Sequence, residues 1–153
     1  MTDTPFVPDA FDPPLTLARP GFVLEPLGPQ HNERDYAAWT TSMDEIRALP
    51  GFDDGRWPRM MTLEENLGDL ERHERDFLAR TGFTYTVLDP ADGDVIGCVY
   101  IYPNREGPGA QVRSWMRADH VQLDRALAEA VAAWLREWPF PNVRSIGRPD
   151  LSR

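Results

Sequence analysis

Hydrophobic and polar positions change period within the segment from Gly109 to Trp138. From Ala110 to Arg117 they alternate. Ala110, Val112, Ser114 and Met116 fall on one side, and Gln111, Arg113, Trp115 and Arg117 on the other. That predicts a strand with one apolar face. From Leu123 onward the period becomes helical: Leu123, Leu127, Val131, Trp134 and Trp138 form a stripe that Ala130 and Leu135 widen. Asp119 is placed to cap this helix, and Gln122 completes a capping-box spacing. After Pro139 and Pro141, the run Asn142 to Ile146 reads as another strand. Strand, crossover helix and strand make a βαβ unit, which leaves a helix N-terminus beside a strand end.

The same reading extends along the rest of the chain. Residues 1–20 hold five prolines and read as an arm, either loose or docked on its own domain through Phe6 and Phe11. Residues 21–153 read as one domain. Phe22 to Leu27 is a strand stopped by Gly28-Pro29. A helix then carries Tyr36, Trp39 and Met43 on one face. Ser42 and Glu45 have capping-box spacing for a short helix through Leu49. Gly51 to Met61 is a loop in which Trp57 and Met60 either cover a ligand or plug the core. Thr62 and Glu65 cap a helix that carries Leu63, Leu67, Leu70, Phe77 and Leu78 and stops at Gly82. Phe83 to Leu88 and Val95 to Tyr102 are strands joined by Asp89 to Asp94, whose Asp-Gly turn predicts an antiparallel hairpin. The second of them is apolar on both faces and so belongs inside a sheet. The order is β, α, α, β, β, β, α, β.

Bulk properties narrow the function. A chain of 153 residues with 41% hydrophobic and 27% charged residues suits one soluble globular domain. A net charge of −9 disfavours nucleic acid and anionic membrane surfaces as partners. The single cysteine, Cys98, excludes an intramolecular disulfide. No apolar run reaches membrane-spanning length, and the first residues lack the basic and apolar regions of a signal peptide. A cytoplasmic protein is the expectation. The three histidines show no metal spacing.

The segments VLEPLGPQHNERDYAAW, TYTVLDPADGDVIGCVYIYP (with Gly97 early in its second strand) and VRSWMRADHVQLDRALAEAVAAWL, in this order, resemble the GNAT superfamily of acyl-CoA-dependent N-acetyltransferases. The resemblance spans Phe22 to Ile146. It implies an α/β (α+β) fold with a mixed, mostly antiparallel central sheet flanked by helices, acetyl-CoA as cofactor and acyl transfer to a small amine. It places Ser114, Trp115, Met116 and Arg117 along the pantetheine arm. His120, Val121, Gln122, Leu123 and Asp124 fall at the phosphates. Members of the family carry Gln/Arg-x-x-Gly-x-Gly/Ala there, whereas this chain has Asp119-His120-Val121-Gln122-Leu123-Asp124. Gln122 and Asp124 fill both glycine positions. Asp119 and Asp124 oppose a second anion, which predicts weak binding of coenzyme A or none. The family commonly adds a helix and a strand hairpin after its fifth strand and often takes a tyrosine general acid from there. No tyrosine follows Tyr102 here. That wall would come from another subunit or be absent, and a homodimer is the expectation.

Among individual side chains, His120 can accept a proton from an amine, or simply be a solvated first-turn residue. Tyr100 and Tyr102 share the face of Cys98 and either reach a cleft or pack in the core. Cys98 has no visible activator and reads as an inert buried thiol. Glu106 can hold an amine or be solvated. Arg113 and Arg117 can bind an anion or be salt-bridged. The leading expectation is an acyltransferase with His120, Tyr100 and Glu106 as catalytic candidates. The alternative is a non-catalytic GNAT-like domain used for ligand binding or assembly.

Overall fold

The computed structural model describes residues 5–146. Six strands form one sheet in chain order: β1 (Leu17–Arg19), β2 (Phe22–Pro26), β3 (Phe83–Leu88), β4 (Val95–Pro103), β5 (Ala110–Met116) and β6 (Val143–Ser145). Every neighbouring pair is antiparallel except β5 with β6. The expected hairpin joins β3 to β4 across Asp89–Asp94, and β4 is interior. Register slips once between β3 and β4, at Val87/Leu88. Gly97 is needed beside this slip. A Cβ there would lie 2.6 Å from the Trp115 carbonyl oxygen and 2.8 Å from the Met116 sulfur.

Helices cover both faces. On one lie α1 (Asn32–Thr40), α2 (Met43–Arg47) and α3 (Leu63–Ala79), and on the other α4 (Asp124–Leu135). α3 begins where its capping box was expected. The Thr62 hydroxyl accepts the Glu65 N–H at 3.0 Å, and the Glu65 carboxylate accepts the Thr62 N–H at 2.9 Å. The other two capping boxes do not form. Ser42 makes no cap bond to α2; its hydroxyl accepts the Ala118 N–H at 2.8 Å, 76 residues away. Asp119 is drawn off by Arg117, whose Nε donates to it at 2.7 Å. A charge-assisted bond to a guanidinium outcompetes one to a neutral amide. Without that cap, residues Ala118–Leu123 form a 3₁₀ turn, and α4 starts only at Asp124.

The N-terminal arm is docked. Phe6 stacks on Phe83 and Phe140 with centroids at 5.7 and 5.0 Å, and Phe11 lies 5.1 Å from Trp138. Arg80 donates to the carbonyls of Pro8 and Phe11, and the Tyr85 hydroxyl donates to that of Pro14. The arm ends in β1, which the sequence reading missed because three residues carry no period. Leu127, Val131 and Trp134 are buried against this same face, as the helical stripe predicts. No helix among the described residues is long and apolar enough to cross a membrane.

Candidate functional site

On the α1–α3 face, β4 and β5 form the floor of a cavity of about 460 Å³. Its walls are α1 and α3, and the loop through Trp57 closes it from above. Of the two side chains expected to plug the core, only Trp57 packs inward. Trp57 is half-buried, packs on Trp39, Phe52 and Trp115, and also lines the cavity, whereas Met60 points to solvent.

Three of the polar groups that line this cavity are held by close partners. Asp35 comes from α1, on the same stripe as Ala38 and Trp39, and is buried. Asn66 on α3 fixes it, donating from Nδ2 to Asp35 Oδ2 at 3.1 Å; Asn66 Oδ1 in turn accepts the Trp39 indole N–H at 3.0 Å. Burial raises the Asp35 pKa to about 7, against a partial opposing effect of the Asn66 bond and with a further push from Asp69. The carboxyl group therefore changes charge near neutrality, which suits a proton acceptor.

The second is His73, one turn of α3 beyond Leu70. Its Nδ1 lies 2.8 Å from the Thr84 hydroxyl and 3.0 Å from that of Tyr102, and Tyr102 donates to Asp76 at 2.8 Å. Burial, reinforced by Arg72, lowers the His73 pKa to about 4, so the ring is neutral at ordinary pH. Tyr102 is pushed up to about 12, chiefly by burial. The third is Arg113 on β5. Its guanidinium carbon lies 4.7 Å from the Phe52 ring centre and 5.2 Å from that of Tyr100. It donates to the Gly51 carbonyl at 2.6 Å.

The catalytic candidates from sequence are not brought together. Tyr100 lines the cavity; its hydroxyl accepts the Trp115 indole N–H at 2.9 Å, and burial holds it well above the usual phenol range. Glu106 sits in the turn before β5, exposed and paired with Arg144 at 2.6 Å. His120 lies beyond the other end of β5, with Nδ1 2.8 Å from Asp119 and Nε2 3.4 Å from Asp89. At about 3.3 Å per residue, the strand between Glu106 and His120 alone spans roughly 20 Å. Cys98 is buried and its thiol is pushed up, mainly by burial. Of the two candidate anion-binding arginines, Arg117 is salt-bridged to Asp94 at 3.0 Å and Asp119 at 2.7 Å, and Arg113 has no ion pair among the described residues. No cluster of metal-ligating side chains occurs among the described residues.

Sequence reasoning missed Asp35 and His73. The signal was present in both cases. Asp35 shares a helical stripe with Trp39, and His73 shares one with Asn66, Leu70 and Phe77. A polar residue on an apolar stripe is either satisfied inside the core or placed at a site, and here the cavity favours the site.

The expected cofactor positions divide in two. Among the described residues the β5–β6 ladder pairs Ala110–Val112, and the β4–β5 ladder continues to Met116. Ser114, Trp115 and Met116 are buried in β5. The phosphate end does not match. The Ala118 N–H is taken by Ser42, the His120 N–H by the Arg117 carbonyl, and Arg117 itself by two aspartates. Asp119 is held at about 2 by Arg117 and His120 and stays a carboxylate. Val121 and Gln122 face solvent, the Leu123 side chain lies beside Gly21, and Asp124 occupies the first helical position of α4.

No family model matches the sequence, and no curated protein matches it. Solved structures do. A ribosomal-protein-S5-alanine acetyltransferase from Vibrio fischeri is 11% identical with a TM-score of 0.63, over 80% of this chain and 67% of its own. The microcin C7 self-immunity acetyltransferase MccE, in complex with acetyl-CoA and AMP, is 11% identical with a TM-score of 0.62, over 79% of this chain and 64% of its own. RimL, a ribosomal L7/L12 alpha-N-protein acetyltransferase in complex with coenzyme A, is 10% identical with a TM-score of 0.62, over 80% and 66%. The chain thus spans about two thirds of these proteins. It has the GNAT fold, with a mixed, mostly antiparallel sheet flanked by helices.

Proposed function

We propose that the chain is an acyltransferase that acylates a small amine held in the α1–α3 cavity. The observation that carries this reading is Asp35, a carboxyl group buried beside that cavity with its pKa raised to about 7. An amine arrives from water mostly as an ammonium ion and must lose a proton before its lone pair can react. Asp35, ionised, accepts that proton, and Asn66 holds its oxygen in place. Trp57 and Met61 limit water above the reacting nitrogen. Acyl-CoA, when bound, supplies the acyl group as a thioester. Its arm would lie along Ser114, Trp115 and Met116, and no residue of the 118–123 turn is assigned to its phosphates.

The self-satisfied turn favours a second reading, a domain that keeps the cavity for binding and has no transfer activity. One experiment separates the two. The protein is incubated with acetyl-CoA and a panel of amines, and released thiol is followed with a chromogenic disulfide. Amine-dependent release that Asp35→Asn abolishes is the expected result. No release with any amine, from protein shown to bind one of them, would establish the binding domain instead.

A further inference from the structure

The cavity lining holds more arginine than carboxylate, the reverse of the chain as a whole. The chain has a net charge of −9, and all sixteen of its basic residues other than histidine are arginines. Five of them, Arg56, Arg59, Arg72, Arg105 and Arg113, line this cavity beside only two carboxyl groups, Asp35 and Asp69. Asp35 is uncharged over part of the ordinary pH range. Asp69 reaches one arginine, Arg72, at 3.7 Å. Among the described residues, the other four arginines have no carboxylate at ion-pair distance, as also holds for Arg19, Arg34, Arg47, Arg75 and Arg80 elsewhere, whereas Arg117 has two and Arg125 and Arg144 have one each.

Arg113 is the most constrained of the five. It rises from the middle of β5, half-buried, with its planar group against Phe52 and Tyr100 and one N–H spent on the Gly51 carbonyl. A guanidinium has five N–H donors. Among the described residues the Gly51 carbonyl takes one of these donors, and a charge removed from water is ordinarily paired. A guanidinium held in place by ring contacts suits a carboxylate or phosphate, which it can grip with two parallel bonds.

We infer that the acceptor is an amine that also carries an anionic group, a carboxylate or a phosphate, gripped by Arg113 with Arg72 and Arg105 at the rim, with its amino end at Asp35. This rests on the α1–α3 cavity being the acceptor site. Opposite charges lining one cavity orient such a molecule. They also disfavour polyamines, whose second cation would meet the arginines.

The test uses matched pairs measured by calorimetry in the absence of acyl-CoA: β-alanine against propylamine, and O-phosphoethanolamine against ethanolamine. The anionic member of at least one pair should bind about tenfold tighter or more, a preference that added salt weakens. The pair that responds identifies the anion. Arg113→Gln should erase the preference and Arg113→Lys should keep part of it. Arg113 also holds the loop through Gly51, so Arg105→Gln is the second variant. Its side chain is exposed, and it should weaken the anionic ligand alone by about threefold with an unchanged melting temperature. Equal affinity within both pairs, no binding of either anionic amine, or a preference that survives both glutamine variants would overturn the inference. Failure of the acyltransferase reading looks different: anionic amines bind but are never acylated. Conversely, neutral amines acylated as fast as anionic ones would leave transfer standing and remove the anion requirement.

Discussion

The two faces of the sheet are both buried but are made of different material. Beneath α4 and the N-terminal arm, Phe6, Phe83, Tyr85, Trp134, Trp138 and Phe140 contact one another ring to ring. The only titratable side chain in that set is Tyr85, whose hydroxyl is spent on the Pro14 carbonyl. Beneath α1 and α3, the same sheet meets Asp35, Asn66, His73 and Arg113, arranged around a space. Burying ionisable groups costs free energy that burying rings does not. Both faces bury apolar side chains, and the α1–α3 face in addition bears the cost of buried ionisable groups, which is the distribution expected where a site has been built on a fold.

Truncation on the two faces should separate these roles. Leu127 is fully buried on the aromatic face. Leu127→Ala should destabilise by about 2–5 kcal/mol, lost transfer energy plus a cavity. Ligand affinity in the α1–α3 cavity should stay unchanged in protein that remains folded. Urea unfolding read by tryptophan fluorescence measures the first and calorimetry the second. A loss of binding equal to the loss of stability would mean that the faces are not separable.

On the other face the sign reverses with pH. Asp35 has a folded pKa of about 7, above its ordinary 3.8. Its contribution is therefore complete below about pH 4 and is lost as pH rises through 7. At pH 8 the buried carboxylate costs up to about 4 kcal/mol. His73 runs the other way. Its folded pKa of about 4 lies below its ordinary 6.5, so its contribution is complete above 6.5 and lost as pH falls toward 4. The two slopes oppose each other between about pH 4 and 6.5 and leave that part of the stability profile flat. Asp35→Asn should be more stable than the native chain at pH 8 by up to about 4 kcal/mol, show a rising profile from pH 4 to 6.5, and lose acyl transfer. Denaturation curves at a series of pH values test it. A variant that is equally destabilised at pH 5 and pH 8 would mean that Asp35 is not buried as a strained carboxylate.

These contrasts explain which parts could be read from sequence. The aromatic face announces itself through Leu127, Val131 and Trp134 at helical spacing, and β4 through its unbroken apolar run. Periodicity reports burial, so it finds walls and floors. It cannot say which buried polar residue faces a space, because that depends on elements distant in sequence: Asp35 meets Asn66 across 31 residues, and Arg113 meets Gly51 across 62. Local chemistry was also overridden by distant partners. Ser42 and Asp119 both have the spacing of helix caps, and each is taken instead by a partner brought near by the fold. Thr62 has no such competitor and caps as expected.

Ser42 offers a smaller effect that links the two regions. Its hydroxyl is buried and ties the α1–α2 corner to the turn after β5. Ser42→Ala should cost about 1–2 kcal/mol, because the Ala118 N–H loses its acceptor. Amide hydrogen exchange at residues 118–123 should accelerate, while α3 stays protected. Uniform acceleration over the whole chain would indicate that the bond has no local role.

The smallest effect concerns coenzyme A and the same turn. Gln122 and Asp124 fall where the sequence resemblance places the family's glycines, and Asp119 and Asp94 hold Arg117. Replacing both by glycine removes one negative charge at the head of α4. That charge opposes an anion by about 0.3–1 kcal/mol at an exposed helix end. Against this, glycine at position 124 loosens the first turn of α4 by about 0.5–1 kcal/mol. The Gln122 side chain forms no capping box here, so its loss costs little beyond backbone freedom. The two terms nearly cancel. The double variant should bind acetyl-CoA no more than a few-fold tighter than the native chain, unless side-chain bulk rather than charge is the barrier. Titration of both proteins decides between these causes. A gain of about a hundredfold would identify bulk, since charge alone cannot supply the roughly 2.7 kcal/mol that it represents. Micromolar binding by the native chain would show that the phosphates are held elsewhere than at this turn, on the aromatic or the cavity side of β5.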